Sequence, residues 1–173
     1  MKQEKQQQIF GCMADVLNQN GFRAEVMQKE GAPTLLRCEA MRQGKVQKDV
    51  TVECCFIPIA MPNEDTGLLQ FFVTLFLGVP ENNFRHVRSA CDYCNDFCAL
   101  GHFGFFEDAG QIYLKHTTLI DTSLELEKVI PFFADNISVL MASVARFVDG
   151  FASIGFSGMP VEAAIEQELL PKL

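Results

Sequence analysis

Apolar residues along this chain recur at two alternating periods, and the order in which those periods change predicts the fold. In Gln3–Gln19, Ile9, Met13, Val16 and Leu17 fall at helical spacing, and Asn20-Gly21 supplies a stop that tolerates left-handed backbone. Residues 22–28 and 34–42 then read as strands joined by a turn over 29–33, and Arg42-Gln43-Gly44-Lys45 marks the next reversal. Residues 49–59 set Val50, Val52, Cys54 and Phe56 on one face and Thr51, Glu53, Cys55 and Ile57 on the other. After a loop punctuated by Pro58, Pro62, Asn63, Asp65 and Gly67, residues 68–77 place Leu69, Phe71, Val73, Leu75 and Leu77 opposite Leu68, Gln70, Phe72, Thr74 and Phe76. Both faces of that strand carry large apolar groups.

The helical period returns after Gly78-Val79-Pro80. Phe84, Val87, Cys91, Cys94 and Cys98 lie at offsets of three and four, and Gly101 is the expected stop. Residues 102–106 and 111–118 form a hairpin whose turn, Glu107-Asp108-Ala109-Gly110, has the Asp and Gly of a tight reversal. Thr122 and Glu125 have the spacing of a capping box ahead of a long stripe from Ile130 to Phe151. Pro131 either kinks that helix or sits near its start, with 123–129 as a separate turn. Gly150, Gly155 and Gly158 are expected to loosen the chain before a short helix with Val161, Ala164, Ile165 and Leu169 on one side.

This succession predicts an α+β fold of two layers, an antiparallel sheet with helices packed on one face. Residues 1–150 form one domain and residues 151–173 a peripheral C-terminal tail. An open antiparallel sheet ordinarily shows water a polar second face, so Ile57, Leu68, Phe72 and Phe76 need a cover. Either the tail supplies it or a partner does.

Composition narrows the function. At 173 residues the chain is long enough to bury a core without staples, and 49% hydrophobic against 21% charged residues excludes a disordered chain. The net charge of −8 opposes nucleic acid and anionic membranes as partners of the whole surface. Residues 1–8 are polar, unlike a signal peptide, and the apolar run 68–80 is shorter than the ~20 residues of a spanning helix, so the expected compartment is the cytoplasm. Seven cysteines, two of them adjacent at Cys54-Cys55, suit reduced buried thiols better than a disulfide framework.

The order of elements resembles the secretion-chaperone-like fold of type III secretion chaperones and YbjN-like bacterial proteins. The resemblance is densest at Tyr93-Cys94-Asn95-Asp96-Phe97, Gly101-His102-Phe103-Gly104-Phe105-Phe106, the 107–110 turn, Gln111-Ile112-Tyr113-Leu114 and the helix reaching Phe147, where an Asn near a helix end precedes a Phe-rich hairpin. It covers roughly residues 3–150. It implies a small acidic protein, often dimeric, that binds other proteins and carries no catalytic residues or cofactor. The cysteine-rich second helix and the segment after Gly150 depart from the pattern.

Local chemistry is sparse. Cys91-x-x-Cys94-x-x-x-Cys98 with His102 has offsets at which thiolates and an imidazole converge on zinc or an iron-sulfur cluster, which makes a metal or redox protein the alternative reading. The same cysteines extend the stripe begun by Phe84 and Val87, and packing as small hydrophobes is preferred. No local signature pairs a Cys nucleophile with His86, His102 or His116. Arg85, His86 and Arg88 form a basic cluster read as a solvated helix face, and Glu107, Asp108, Glu162, Glu166 and Glu168 read as solvated carboxylates. The glycines match neither a phosphate loop nor a nucleophile elbow. The expected function is therefore a non-enzymatic protein-binding module, with an unidentified protein partner and a homodimer, using Ile57, Leu68, Phe72 and Phe76.

Overall fold

In a computed structural model, which describes residues 3–29 and 31–172, the elements follow the predicted order: α1 (Gln3–Gln19), β1 (Arg23–Met27), β2 (Leu35–Gln43), β3 (Lys48–Ile57), β4 (Thr66–Phe76), α2 (Phe84–Asn95), β5 (His102–Phe106), β6 (Gln111–Asp121), α3 (Leu126–Ser157) and α4 (Val161–Glu166). The six strands form one antiparallel sheet in the order β1-β2-β3-β4-β6-β5. The fold is α+β, as the periods predict. Of the turn expected over 29–33, Glu30 lies outside the described residues, as do Met1 and Lys2 of the polar N-terminal stretch.

The chain divides into two compact units, and β2, β3, β4, β6 and α3 each contribute a part to both. Unit 1 holds residues 1–40, 51–72 and 116–138. Its edge is the β1/β2 ladder, with Arg23 opposite Glu39 and Met27 opposite Leu35. Alternation buries Val52, Cys54, Phe56, Leu69 and Phe71 on one side of the strands, and α1 contributes Ile9, Phe10, Met13 and Leu17 to the same core. Phe10 stacks on Phe56 at 5.2 Å, while Phe133 of α3 meets Phe10 edge-on at 6.1 Å and Phe71 at 5.1 Å. These three edge and face contacts join a helix, two strands and a second helix.

Unit 2 holds residues 41–50, 73–115 and 139–173. The β5/β6 hairpin runs from His102 opposite Lys115 to Phe106 opposite Gln111. Its reversal is a single 3-10 turn, Glu107–Ala109, closed by Gly110 in left-handed backbone at φ 53°. Val87, Ala90, Cys91 and Cys94 form the buried stripe of α2, and Phe103 packs on Phe147 and Phe151 of α3 at 5.5 and 4.8 Å.

Four expectations require correction. First, α2 ends at Asn95 rather than running to Gly101, because the next amides bond back three residues, Asp96 to Tyr93, Phe97 to Cys94 and Cys98 to Asn95, which tightens the chain out of the α-helix. Second, Thr122 caps no helix: its hydroxyl and its amide both donate to the Asp65 carbonyl at 2.7 Å. Third, α3 is one helix from Leu126 with Pro131 in its second turn, so the separate 123–129 turn does not form.

Fourth, the boundary at Gly150 does not exist. The helix continues through Gly150 and Gly155 to Ser157, Phe151 and Ile154 are fully buried, and Val161, Ala164 and Leu170 of the following segment are buried too. Close packing against Leu170 explains Gly150 better than flexibility does. α3 also exceeds the apolar run singled out in the sequence: an 18-residue stretch has a mean hydropathy of 1.5, and half of that stretch is buried inside the protein as a core helix would be.

Candidate binding surface

In unit 1 the pleat sends alternate residues of β3 and β4 away from the Phe10-Phe71-Phe133 core. Glu53, Cys55 and Ile57 of β3, and Leu68, Gln70 and Phe72 of β4, are all half-buried on that side, while their neighbours Val52, Cys54, Phe56, Leu69 and Phe71 are at most 3% exposed. On β6, which adjoins β4, Leu119 is 56% exposed where its neighbour Ile120 is buried. The row is bordered by charge. Arg37 of β2 donates through Nε and Nη2 to Glu53 Oε1 at 3.0 and 2.6 Å, and this pairing, with the nearby Glu25 and Glu39 carboxylates, raises the Arg37 pKa above its ordinary value. The pair is neutral as a unit, so an apolar partner on this side meets little uncompensated charge.

Phe76 departs from the expected set. It is 8% exposed, lies in unit 2, meets the Phe156 ring at 5.4 Å and has Lys48 Nζ 5.4 Å from its centroid. The end of α3, which the sequence assigned to a loose tail, covers it. Of the four expected contact residues, Ile57, Leu68 and Phe72 share one side of unit 1 and Phe76 does not join them.

The cysteine cluster does not assemble as a ligand set. Cys91 and Cys94 point into the core of unit 2, Cys98 lies beyond the end of α2 with its thiol 3.5 Å from the Cys94 carbonyl, and His102 is exposed on β5. Among the described residues no group of three His, Cys, Asp or Glu side chains is placed to hold a metal ion. Burial pushes the Cys91 thiol up to about 12 and the Cys94 thiol further, with the Asp92 carboxylate adding to the first and the neighbouring thiols to the second. Burial also raises Cys98, against the opposing pull of a Ser143 hydrogen bond and the Arg146 charge. In unit 1, burial takes Cys38 to about 12 and Cys54 well above the usual range. All are held protonated near neutral pH, which is the wrong state for a nucleophile.

The remaining candidates are dispersed. Arg88 pairs with Glu107 at 2.5 Å, and Arg85 and His86 border a shallow groove with Glu162, so the basic cluster is partly neutralised by residues of its own unit. His116 stacks on Phe71 at 6.1 Å on the core side of β6.

Polar side chains serve as anchors, Asn95 at the helix end that the resemblance marked and Asp149 with no such mark. The Asn95 amide donates to the Phe103 carbonyl at 3.1 Å and accepts from the Phe103 amide at 2.6 Å, locking the end of α2 to β5. Asp149 accepts from the Lys45 and Val46 amides at 3.0 and 2.9 Å, and the Tyr93 hydroxyl donates to the Pro171 carbonyl at 2.5 Å. A carboxylate bordering the apolar stripe of a helix, as Asp149 does beside Val148, was the available signal.

No protein-family model matches the chain, and no curated protein is significantly similar to it in sequence.

Proposed function

We propose that the protein is a non-enzymatic, cytoplasmic protein-binding module of the secretion-chaperone-like kind, dimeric through the side of β3 and β4 that carries Ile57, Leu68 and Phe72. The observation that carries this reading is the half-buried apolar row on the side of unit 1 opposite its ring-packed core. A solvated sheet side tends toward polar residues, and half-buried Ile57, Leu68 and Phe72 beside a compensated ion pair have the make-up of an interface. The order of elements supports the chaperone-like kind. The neutral, core-bound thiols and the dispersed histidines and carboxylates support binding over chemistry.

A two-fold dimer would place the same row on both copies. Sedimentation of the full chain should therefore give twice the chain mass, and Phe72→Asp should give a monomer whose thermal melt stays close to that of the parent. A parent that sediments as a monomer at tens of micromolar, or a variant that keeps the doubled mass, would reject this interface.

A further inference from the structure

A second surface of unit 1 goes beyond the sheet side and stands without it. The loop between β3 and β4, the start of α1 and the segment between β6 and α3 enclose an open groove of about 690 Å³. Its lining is apolar at Ile59, Ala60 and Met61 and polar or acidic at Asn63, Glu64 and Asp65. Ile59 is 57% exposed, a large apolar side chain held out in water beside two exposed carboxylates. The adjoining segment adds exposed Leu124 and the exposed acids Asp121, Glu125 and Glu127. Two cations stand against these. Lys5 lines the groove and donates its ammonium to the Leu124 carbonyl at 3.2 Å, and Lys128 lies in the first turn of α3.

The groove is held in shape rather than left to a slack loop. The Thr122 hydroxyl and amide both fix the Asp65 carbonyl, Asn63 Oδ1 accepts from the Asp65 amide at 3.0 Å, and the Asn63 carbonyl accepts from the Thr66 amide at 3.0 Å. None of these bonds uses the Glu64 or Asp65 carboxylate, which leaves both carboxylates and the Ile59 side chain for a partner. Pre-set walls cut the ordering cost that a flexible loop would add on binding.

We infer that this groove docks a basic amphipathic segment of another protein, its apolar residues on Ile59 and Met61 and its Lys or Arg residues toward Glu64, Asp65 and the 121–127 acids. Charge complementarity selects that occupant. A second copy of this chain would bring the same acids against themselves, and the net charge of −8 adds to that repulsion, so self-association uses another surface. An acidic segment would meet the same penalty. The recognition mode is an amphipathic helix or strand laid into a groove, read through one apolar stripe and a charged flank.

The probe is a labelled synthetic peptide of about 14 residues with Leu at helical spacing and Lys elsewhere, titrated against the full-length chain by fluorescence anisotropy. Saturable binding that weakens with added salt is the expected result. Glu64→Lys with Asp65→Lys should weaken it at least about tenfold, and Ile59→Ser should weaken it with no change in net charge. The control is Glu162→Lys with Glu166→Lys in unit 2, which alters net charge by the same amount far along the chain and should leave binding nearly intact. Equal losses in the two double variants would show general attraction to an acidic protein and overturn the assignment. So would equal binding of a Glu/Leu peptide of the same pattern, or no saturation at all. Phe72→Asp should leave peptide binding unchanged, so the fate of the sheet interface and the fate of the groove are read separately.

Discussion

Units 1 and 2 are built from the same kinds of element and hold themselves together differently. In unit 2, Asn83, Tyr93, Asn95 and Asp149 each reach the backbone of another segment, at Gly155, Pro171, Phe103 and residues 45–46. In unit 1 the core is joined by rings, Phe10, Phe56, Phe71 and Phe133; Asn18 bonds the Ala24 backbone and Arg37 pairs with Glu53, while the bonds from Lys5 and Thr122 lie at the rim of the groove. The difference teaches where a polar anchor acts: inside a unit it fixes the path of the chain, and at a rim it fixes the shape of a surface.

The largest expected effect tests the ring core of unit 1 against its outer side. Phe71 and Phe72 are sequence neighbours on opposite sides of β4, the first fully buried and the second half-buried. Phe71→Ala should cost about 3–5 kcal/mol in urea denaturation and Phe72→Ala about 1 kcal/mol or less. Similar costs would mean that the outer side is as closely covered as the core, and the comparison would fail.

Alkaline pH should reveal what the units share. Cys38 and Cys54 in unit 1, and Cys91 and Cys94 in unit 2, have pKa values raised by burial above the usual 9.0. The unfolded chain then loses these protons first, so stability is complete below pH 9 and declines as pH climbs toward 12. The limiting slope is about 1.4 kcal/mol per pH unit for each such thiol. Urea melts in reducing buffer should show the decline, and Cys94→Ala should flatten it. Rapid modification of all seven thiols in the native protein at neutral pH would contradict the buried, protonated state.

Smaller effects should separate the two kinds of anchor. Asn95→Ala removes both partners of the Phe103 backbone and should cost about 1–3 kcal/mol, with faster hydrogen exchange at the Phe103 amide. Thr122→Val removes only one of two bonds to the Asp65 carbonyl and should cost about 1 kcal/mol or less. The order of the two costs, read from the same denaturation series, is the informative result.

Much of this architecture was legible in the sequence because the hydrophobic period shifts cleanly between strands and helices. The order of elements, the α+β class and the two-sided apolar character of β4 all follow from spacing alone. What was not legible depends on distant segments. Phe76 has the alternation of an outward residue, but Phe156 and Lys48 lie against its ring. The resemblance marked an Asn near the end of α2 ahead of the hairpin, but not its two bonds to Phe103, eight positions on, nor that the helix stops short of Gly101. The groove mixes residues from three separate stretches of chain, so neither its lining by Ile59 and Met61 nor its tie to Thr122 has a sequence signature.

Gly150 and Gly155 bring the contrast to its finest scale, because both were expected to break α3 and both lie inside it. A Cβ at Gly150 would stand 2.5 Å from Leu170 Cδ2, closer than real side chains approach, and a tight 3.0 Å from the Leu169 carbonyl. At Gly155 the nearest atoms, on Ile112 and Val79, would be 3.5 Å away, an ordinary contact. Ala gains about 1 kcal/mol over Gly in a helix interior at either position. At Gly155 that gain should survive and raise the melting temperature by a few degrees. At Gly150 the segment around Leu170 must shift, at a cost of about 1–3 kcal/mol that outweighs the gain. Opposite signs for Gly155→Ala and Gly150→Ala identify the C-terminal segment as an integral part of unit 2. A stabilising Gly150→Ala would show instead that residues 169–170 rest on α3 without being held there.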